Sequence, residues 1–232
     1  MSEAVKSLFT AISPTYDRLN HVLSFNFDKS WRKKTIAQIH KKSEDAFLAL
    51  DLCAGTHDLG LECLSQFPKA RIQAVDFSFG MLHAGQDKIR SEFCAKKITP
   101  VCGDALNLPY PDGTFDVVFC AYGVRNFDST EAGLKEIQRV LKPGGQLLVL
   151  EFFRPMSSLS TFFNKTYGQY ILPALGQMVS GHKSAYTYLR DSIRGFLSLL
   201  EFQDLLKKSG FKDIKTKNFF MSISSCVSAV RI

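Results

Sequence analysis

From Phe47 onward, short β-rich apolar runs alternate with segments of helical period, and this alternation restricts the fold more than any other feature of the chain. Strands joined through crossover helices lie parallel, and a parallel sheet needs apolar cover on both faces. The spacing predicts strands at 47–53, 71–76, 99–103, 115–121 and 146–153, with helices between them at 59–66, 80–93 and 131–141. Pro143-Gly144-Gly145 stops the last of these helices, since proline and paired glycine do not continue one. A helix at 201–209, the turn at Gly210 and strands at 212–218 and 226–231 complete the pattern, the last two pairing as a hairpin.

A chain of 232 residues suits one domain, 1–232, with additions to the α/β core. One addition is an N-terminal helical lid over 1–45, with helices at 16–22 and 30–40; the other is an aromatic-rich helical insertion over 155–199, after the fifth strand. No stretch is long and apolar enough to span a bilayer, and residues 1–13 lack the basic-then-apolar order of a secretory signal, so a cytoplasmic location is expected. The six cysteines form no C-x-x-C pair and stand near no histidine at ligand spacing, so buried thiols are expected and a metal site is not. The formal charge of +7 suits an anionic partner. Its basic runs, Trp31-Arg32-Lys33-Lys34, Lys41-Lys42 and 207–217, are not interleaved with aromatics in a nucleic-acid motif. Nucleic acid is therefore not expected, which leaves a solvated helix face or peripheral contact with an acidic inner-membrane surface.

In open α/β sheets, ligands sit outside the carboxyl ends of the strands. The first predicted strand runs into Asp51-Leu52-Cys53-Ala54-Gly55-Thr56-His57-Asp58, a small-residue turn where backbone can approach a ligand closely. Asp76 ends the second strand, about where dinucleotide-binding folds place an acid against ribose hydroxyls. Asp104, after the third strand, offers an acceptor for an adenine amino group, or caps a helix. The full G-x-G-x-x-G of nicotinamide enzymes, which cradles a pyrophosphate, is missing. A ligand without phosphates fits better: S-adenosylmethionine, with its ribose at Asp76, its adenine at Asp104 and its methionine end at the Gly55 turn.

Further segments carry a family resemblance. They are Tyr16-Asp17-Arg18-Leu19-Asn20 with Trp31-Arg32-Lys33; Leu50-Asp51-Leu52-Cys53-Ala54-Gly55-Thr56; Gly123-Val124-Arg125-Asn126; Arg139-Val140-Leu141-Lys142-Pro143-Gly144-Gly145; Leu150-Glu151-Phe152; and Tyr186-Thr187-Tyr188-Leu189-Arg190-Asp191-Ser192-Ile193. On these the chain resembles the UbiE/COQ5 family of C-methyltransferases of menaquinone and ubiquinone biosynthesis. The Leu-Lys-Pro-Gly-Gly segment is common to many methyltransferases, whereas the segments around Tyr16, Arg125 and Tyr188 are far more restrictive. The resemblance implies a class I, seven-stranded, Rossmann-like fold that uses S-adenosylmethionine to methylate a polyprenylated quinol, demethylmenaquinol or a methoxy-benzoquinol. It implies cofactor contacts at Thr56, Asp76, Asp104 and Ala105. His57 departs from the family pattern, which has glycine there, and Ala121 stands where a serine is usual.

Methylation of a ring carbon needs a hydroxyl that ionises, so a base or a positive group should stand beside it. Arg125 and Asn126 follow the fourth predicted strand and resemble the family's catalytic pair. Arginine is a poor base, so Arg125 is expected to stabilise phenolate and Asn126 to orient the ring oxygen; pairing of Arg125 with a surface carboxylate is the plainer alternative. Tyr16 either reaches the substrate from the N-terminal lid or is a core tyrosine. His57 and His182 are alternative bases. The insertion's Phe162, Phe163, Tyr167, Tyr170, Ile171 and Leu172, with Phe152 and Phe153, either wrap a polyprenyl tail or pack a core. Another small aromatic acceptor, a non-catalytic docking role and a homodimer all stay open at this point.

Overall fold

The computed structural model describes residues 3–90, 94, 96–155, 183–219 and 223–232. Its strands are β1 (Leu48–Leu52), β2 (Arg71–Asp76), β3 (Ile98–Cys102), β4 (Phe115–Ala121), β5 (Leu141–Glu151), β6 (Phe211–Phe219) and β7 (Ser224–Arg231). They form one seven-stranded sheet in the order β3-β2-β1-β4-β5-β7-β6. The first five strands are parallel, and β7 runs antiparallel between β5 and β6. The order reverses between β1 and β4, which opens a crevice at their carboxyl ends.

The central strands are buried because both of their faces are covered. Successive side chains point to opposite sides of the sheet. Ala49, Leu148 and Leu150 join one core with Trp31, Ile36 and Leu64, while Leu50, Leu147 and Val149 join the other with Leu134, Ile137 and Phe202. The helices are α1 (Glu3–Ile12), α2 (Tyr16–Leu23), α3 (Phe27–Ile36), α4 (Asp58–Gln66), α5 (Phe79–Ala84), α6 (Gln86–Ile89), α7 (Thr130–Val140), α8 (Lys183–Gly195) and α9 (Leu199–Lys208); α3 to α7 and α9 supply this cover. Ser198 and Glu201 close a reciprocal capping box at the start of α9.

Three differences from the sequence pattern have physical causes. The helix expected over 80–93 is broken into α5 and α6 at Gly85, where a Cβ would stand 2.6 Å from the Thr56 carbonyl oxygen. The missing side chain lets the two helices lie directly on the turn after β1. Strand β5 starts at Leu141 rather than 146, because Leu141 already pairs with Phe115 before the ladder resumes at Val117 and Gln146. The residues between, Lys142-Pro143-Gly144-Gly145, bulge from the strand, with Gly144 at φ 74. Helix α1, unassigned in the sequence pattern, places Phe9 edge-on to both Tyr16 and Tyr188, at 6.2 and 6.3 Å between ring centroids. The aromatic run at 162–172 and His182 lie outside the described residues.

Ionic contacts tie the N-terminal helices to the sheet edge. Asp17 of α2 meets Lys88 of α6 at 2.5 Å, and Lys88 meets Asp58 of α4 at 2.6 Å. Arg32 of α3 bridges Asp58 at 3.2 Å and Asp28 at 2.8 Å, and Asp28 holds the His21 imidazole at 2.8 Å. The Arg32–Asp28 pair is buried and the others are partly exposed; partly exposed pairs contribute only about 0.2–1 kcal/mol each, but the linked set fixes orientation among four helices. No described helix is long and apolar enough to cross a membrane.

Candidate active site

The turn after β1 is strained for close approach. Cys53, Gly55 and His57 alternate through the left-handed region at φ 58, 53 and 68. Glycine adopts that region freely; the other two pay a steric cost that the surrounding bonds offset. The Ala54 amide donates to Val75 O at 3.0 Å and the His57 amide to Ala54 O at 2.8 Å. Asp76 anchors the same turn: its carboxylate accepts from the Gly55 amide at 2.9 Å and from the Ser78 amide at 2.8 Å. Burial raises the Asp76 carboxyl above its ordinary value, and the two amides work against that rise.

Beside Asp76 a cleft of about 280 Å³, including space open to solvent, is lined by Leu52, Cys53, Val75, Asp76, Phe77, Gly103, Asp104, Ala105, Leu106 and Phe127. The expected contacts Asp76, Asp104 and Ala105 therefore converge. Asp104 starts no helix; its carboxylate accepts from the Leu106 amide at 3.0 Å in a turn closed onto Asn107. Two carboxylates between apolar and aromatic walls, with no basic residue in the lining, suit hydroxyls and an amino-bearing ring and repel phosphate. That composition fits S-adenosylmethionine. Gly55 and Thr56 lie outside this cleft, under the N-terminal helices: a Cβ on Gly55 would stand 4.0 Å from the Tyr16 ring, and the Thr56 hydroxyl donates to Asp17 at 2.5 Å.

A second cluster sits at the ends of β4 and β5. Arg125 is almost wholly buried, its side chain 5% exposed, and its Nη1 donates to Glu151 Oε1 at 2.7 Å and to Tyr122 O at 2.6 Å. Its Nε donates to Ser192 Oγ of α8 at 3.3 Å. Arg125 does pair with a carboxylate, but a buried one rather than a surface one. Asn126 donates from Nδ2 to Tyr122 O at 3.3 Å and accepts at Oδ1 from the Tyr188 hydroxyl at 2.7 Å. Tyr16 lies within the fields of both clusters. Burial raises its phenol, Asn20 and Arg125 lower it, and Asp76 raises it. Tyr188 is likewise raised by burial and lowered by Arg125.

The structure thus gathers Arg125, Asn126 and Tyr16, and adds Glu151, Tyr188 and Asp17, which the sequence pattern does not single out. All three stand inside segments that carry the family resemblance, and an acid ending an apolar strand, as Glu151 does, is itself a signal. His57 is absent from the cleft lining: its ring is buried, with Nε2 3.3 Å from Leu82 O and Nδ1 without a partner among the described residues. Among the described residues, no group of three His, Cys, Asp or Glu is placed to hold a metal ion.

Replacing Asp76 with alanine removes both the expected ribose acceptor and the anchor of the Gly55 turn. Isothermal titration with S-adenosylmethionine should show affinity weakened tenfold or more, in line with about 1–3 kcal/mol per unmet buried bond. Unchanged affinity would remove Asp76 from the site. His57 yields a pH test. Burial holds its imidazole below the ordinary value, so the unfolded chain takes up the proton before the folded one does. Its contribution to stability is complete above a pH of about 6.5 and is lost as pH falls through the folded-state value. Asparagine tolerates the left-handed conformation and does not titrate. Urea melts of His57→Asn beside the parent should therefore show any advantage of the parent shrinking between about pH 7 and pH 5; a constant difference would place the imidazole in water.

The profile of the ubiE/COQ5 methyltransferase family matches residues 1–231. A protein of Deinococcus radiodurans named demethylmenaquinone methyltransferase is 39% identical over 210 residues, covering 90% of this chain and 86% of its own length. One of Geobacter sulfurreducens named ubiquinone/menaquinone biosynthesis C-methyltransferase UbiE is 40% identical over 215 residues, covering 91% and 82%. Among solved structures, a Thermotoga maritima S-adenosylmethionine-dependent methyltransferase, described as a possible histamine N-methyltransferase, superposes with TM-score 0.70 at 18% identity over 97% of this chain and 99% of its own. The [4+2]-cyclase SpnF superposes with TM-score 0.72 at 14% identity over 98% and 94%. With the expected sheet and a match along nearly its whole length, the chain belongs to the ubiE/COQ5 methyltransferase family.

Proposed function

We propose that the chain transfers a methyl group from S-adenosylmethionine to a ring carbon of demethylmenaquinol, a step of menaquinone biosynthesis. The observation that carries this reading is the buried Arg125, held beside Asn126, Tyr16 and Tyr188 at the strand edge next to the acidic cleft. The Deinococcus radiodurans relative's name supports the acceptor. The Geobacter sulfurreducens relative's name also covers ubiquinone, which makes a methoxy-benzoquinol the second acceptor to test.

S-adenosylmethionine would supply an electrophilic methyl group, and Asp76, Asp104, Ala105 and the backbone of the Gly55–Thr56 turn would hold it. Methylation forms a carbon–carbon bond, breaks the donor's sulfur–methyl bond and releases the ring proton, so an electron-rich acceptor ring is required. Arg125 favours the ionised hydroxyl that makes it so, as a fixed cation in a site shielded from water. Asn126 and the phenols of Tyr16 and Tyr188 hydrogen-bond the ring oxygens and hold the carbon in line. The helices of 1–45 serve as the lid that keeps water out, within a single domain of 1–232; most of the insertion over 155–199 lies outside the described residues.

A polyprenylated acceptor resides in lipid, and the turn leading into α3 suits contact with an acidic membrane. Phe25 and Phe27 there are exposed, and Lys29, Lys33 and Lys34 are exposed along the same helix. Apolar side chains beside lysines favour an anionic bilayer surface.

Arg125→Ala should lower turnover with demethylmenaquinol at least a hundredfold, the usual scale for losing one preorganised charge stabiliser, while S-adenosylmethionine affinity stays near that of the parent. Raising the pH should restore part of the rate, because ionisation then needs less help. The variant leaves Glu151 buried without its cation, so circular dichroism at each pH accompanies the kinetics. Normal turnover at neutral pH would remove Arg125 from the mechanism.

A further inference from the structure

We propose that Glu151 is a positioning residue for the reaction: acting through Arg125, it fixes the guanidinium and sets how strongly that cation promotes ionisation of the acceptor's hydroxyl. The inference rests on the quinol-methylation reading and deepens it.

Glu151 ends β5, is fully buried, and pairs across the sheet with Ser225 of β7. Its Oε1 accepts from Arg125 Nη1 and from the Phe152 amide, both at 2.7 Å, and its Oε2 accepts from the Arg125 amide at 3.3 Å. The arginine is thus gripped at backbone and side chain by one carboxylate. The Tyr122 carbonyl and Ser192 Oγ hold the guanidinium from two further directions, and the Phe152 ring lies 5.8 Å from its central carbon. A guanidinium this confined cannot turn toward a ligand without breaking a buried ion pair, so its direction is set before any acceptor arrives.

The pair also sets the charge that an acceptor meets. Opposite charges 2.7 Å apart largely cancel toward a third group, so an approaching phenol faces the positive end of a dipole rather than an unscreened cation. The titratable groups facing Arg125 are Glu151 from β5, Tyr16 from α2 and Tyr188 from α8. Tyr188 lies within the field of Asp128, and Tyr122, whose carbonyl Arg125 holds, lies within the fields of Arg32 and Asp28 of α3. Among these groups, Glu151 alone is in direct contact with the guanidinium as a carboxylate. Burial raises the Glu151 carboxyl and Arg125 lowers it, consistent with an anion kept in place by its partner.

The test is the pH profile of kcat with demethylmenaquinol for the parent, Glu151→Gln and Glu151→Asp. Glutamine keeps an oxygen for Nη1 and removes the neutralising charge; the hydroxyl should ionise to bulk water more readily, moving the acid limb down by at least one pH unit. A purely structural role would leave that limb in place. Aspartate keeps the charge and withdraws it by one methylene, so kcat should fall at least tenfold with the limb unmoved. The KM for S-adenosylmethionine should hold in both variants. An acid limb of Glu151→Gln coinciding with the parent's, or parental kcat in Glu151→Asp, overturns the inference. If Glu151→Gln does not fold, parental kcat in Glu151→Asp still overturns the inference. A parent chain that binds S-adenosylmethionine but does not methylate the quinol overturns the quinol reading and this inference with it. An active parent with an unmoved Glu151→Gln limb overturns this inference alone.

Discussion

The buried ion pair between Arg125 and Glu151 is the constraint around which the functional edge is organised. Both side chains are nearly removed from water, at 5% and 0% exposure, and removing either partner from such a pair typically costs about 3–5 kcal/mol. The pair survives because other groups take up the remaining donors and acceptors: the Tyr122 carbonyl, the Phe152 amide and Ser192. Those partners come from the residues just after β4 and β5 and from α8, so the ion pair forms only when these two strand ends are side by side and α8 is docked. A fold stabilised by packing alone would place an apolar pair here; a charged one is retained where the charge has work to do, and the work proposed for it is ionising a hydroxyl.

The cofactor side follows the same logic with a different device. Each carboxylate oxygen of Asp76 accepts from a backbone amide, which holds a turn in which Cys53, Gly55 and His57 all adopt left-handed backbone. Gly85 lets α5 and α6 rest on that turn, and Thr56 passes the contact on to Asp17, Lys88 and the N-terminal helices. Tyr16 stands where this network approaches Arg125. Helix α2, the helix expected to close over the substrate, thus carries both Asp17, which holds the turn through Thr56, and Tyr16, which lies within the field of Arg125.

The sheet was legible because parallel strands announce themselves as apolar runs separated by helical period, and the hairpin of β6 and β7 because Gly210 marks the turn into it. Asp76 and Asp104 were legible because strand ends carry ligand contacts in this topology, and their convergence on one cleft follows. What sequence could not show is pairing at a distance. Glu151 meets Arg125 across 26 positions, Tyr188 meets Asn126 across 62, and Asp17 meets Thr56 across 39. The break at Gly85 is of the same kind, since it depends on a backbone approach from Thr56 that no local preference encodes. His57 is read differently in three dimensions: a histidine beside a glycine turn suggests a base, but its ring packs toward Leu82.

Fold alone does not decide the chemistry, since a protein described as a [4+2]-cyclase shares this architecture at 14% identity. The functional reading stands on the residues at the strand ends. Its most direct test is to incubate the chain with methyl-labelled S-adenosylmethionine and demethylmenaquinol, with a methoxy-benzoquinol in parallel, and to locate the label by NMR. The account predicts label in a methyl group bonded to a ring carbon of the naphthoquinol. Cofactor binding without transfer to either quinol, or label on a ring oxygen, would contradict it.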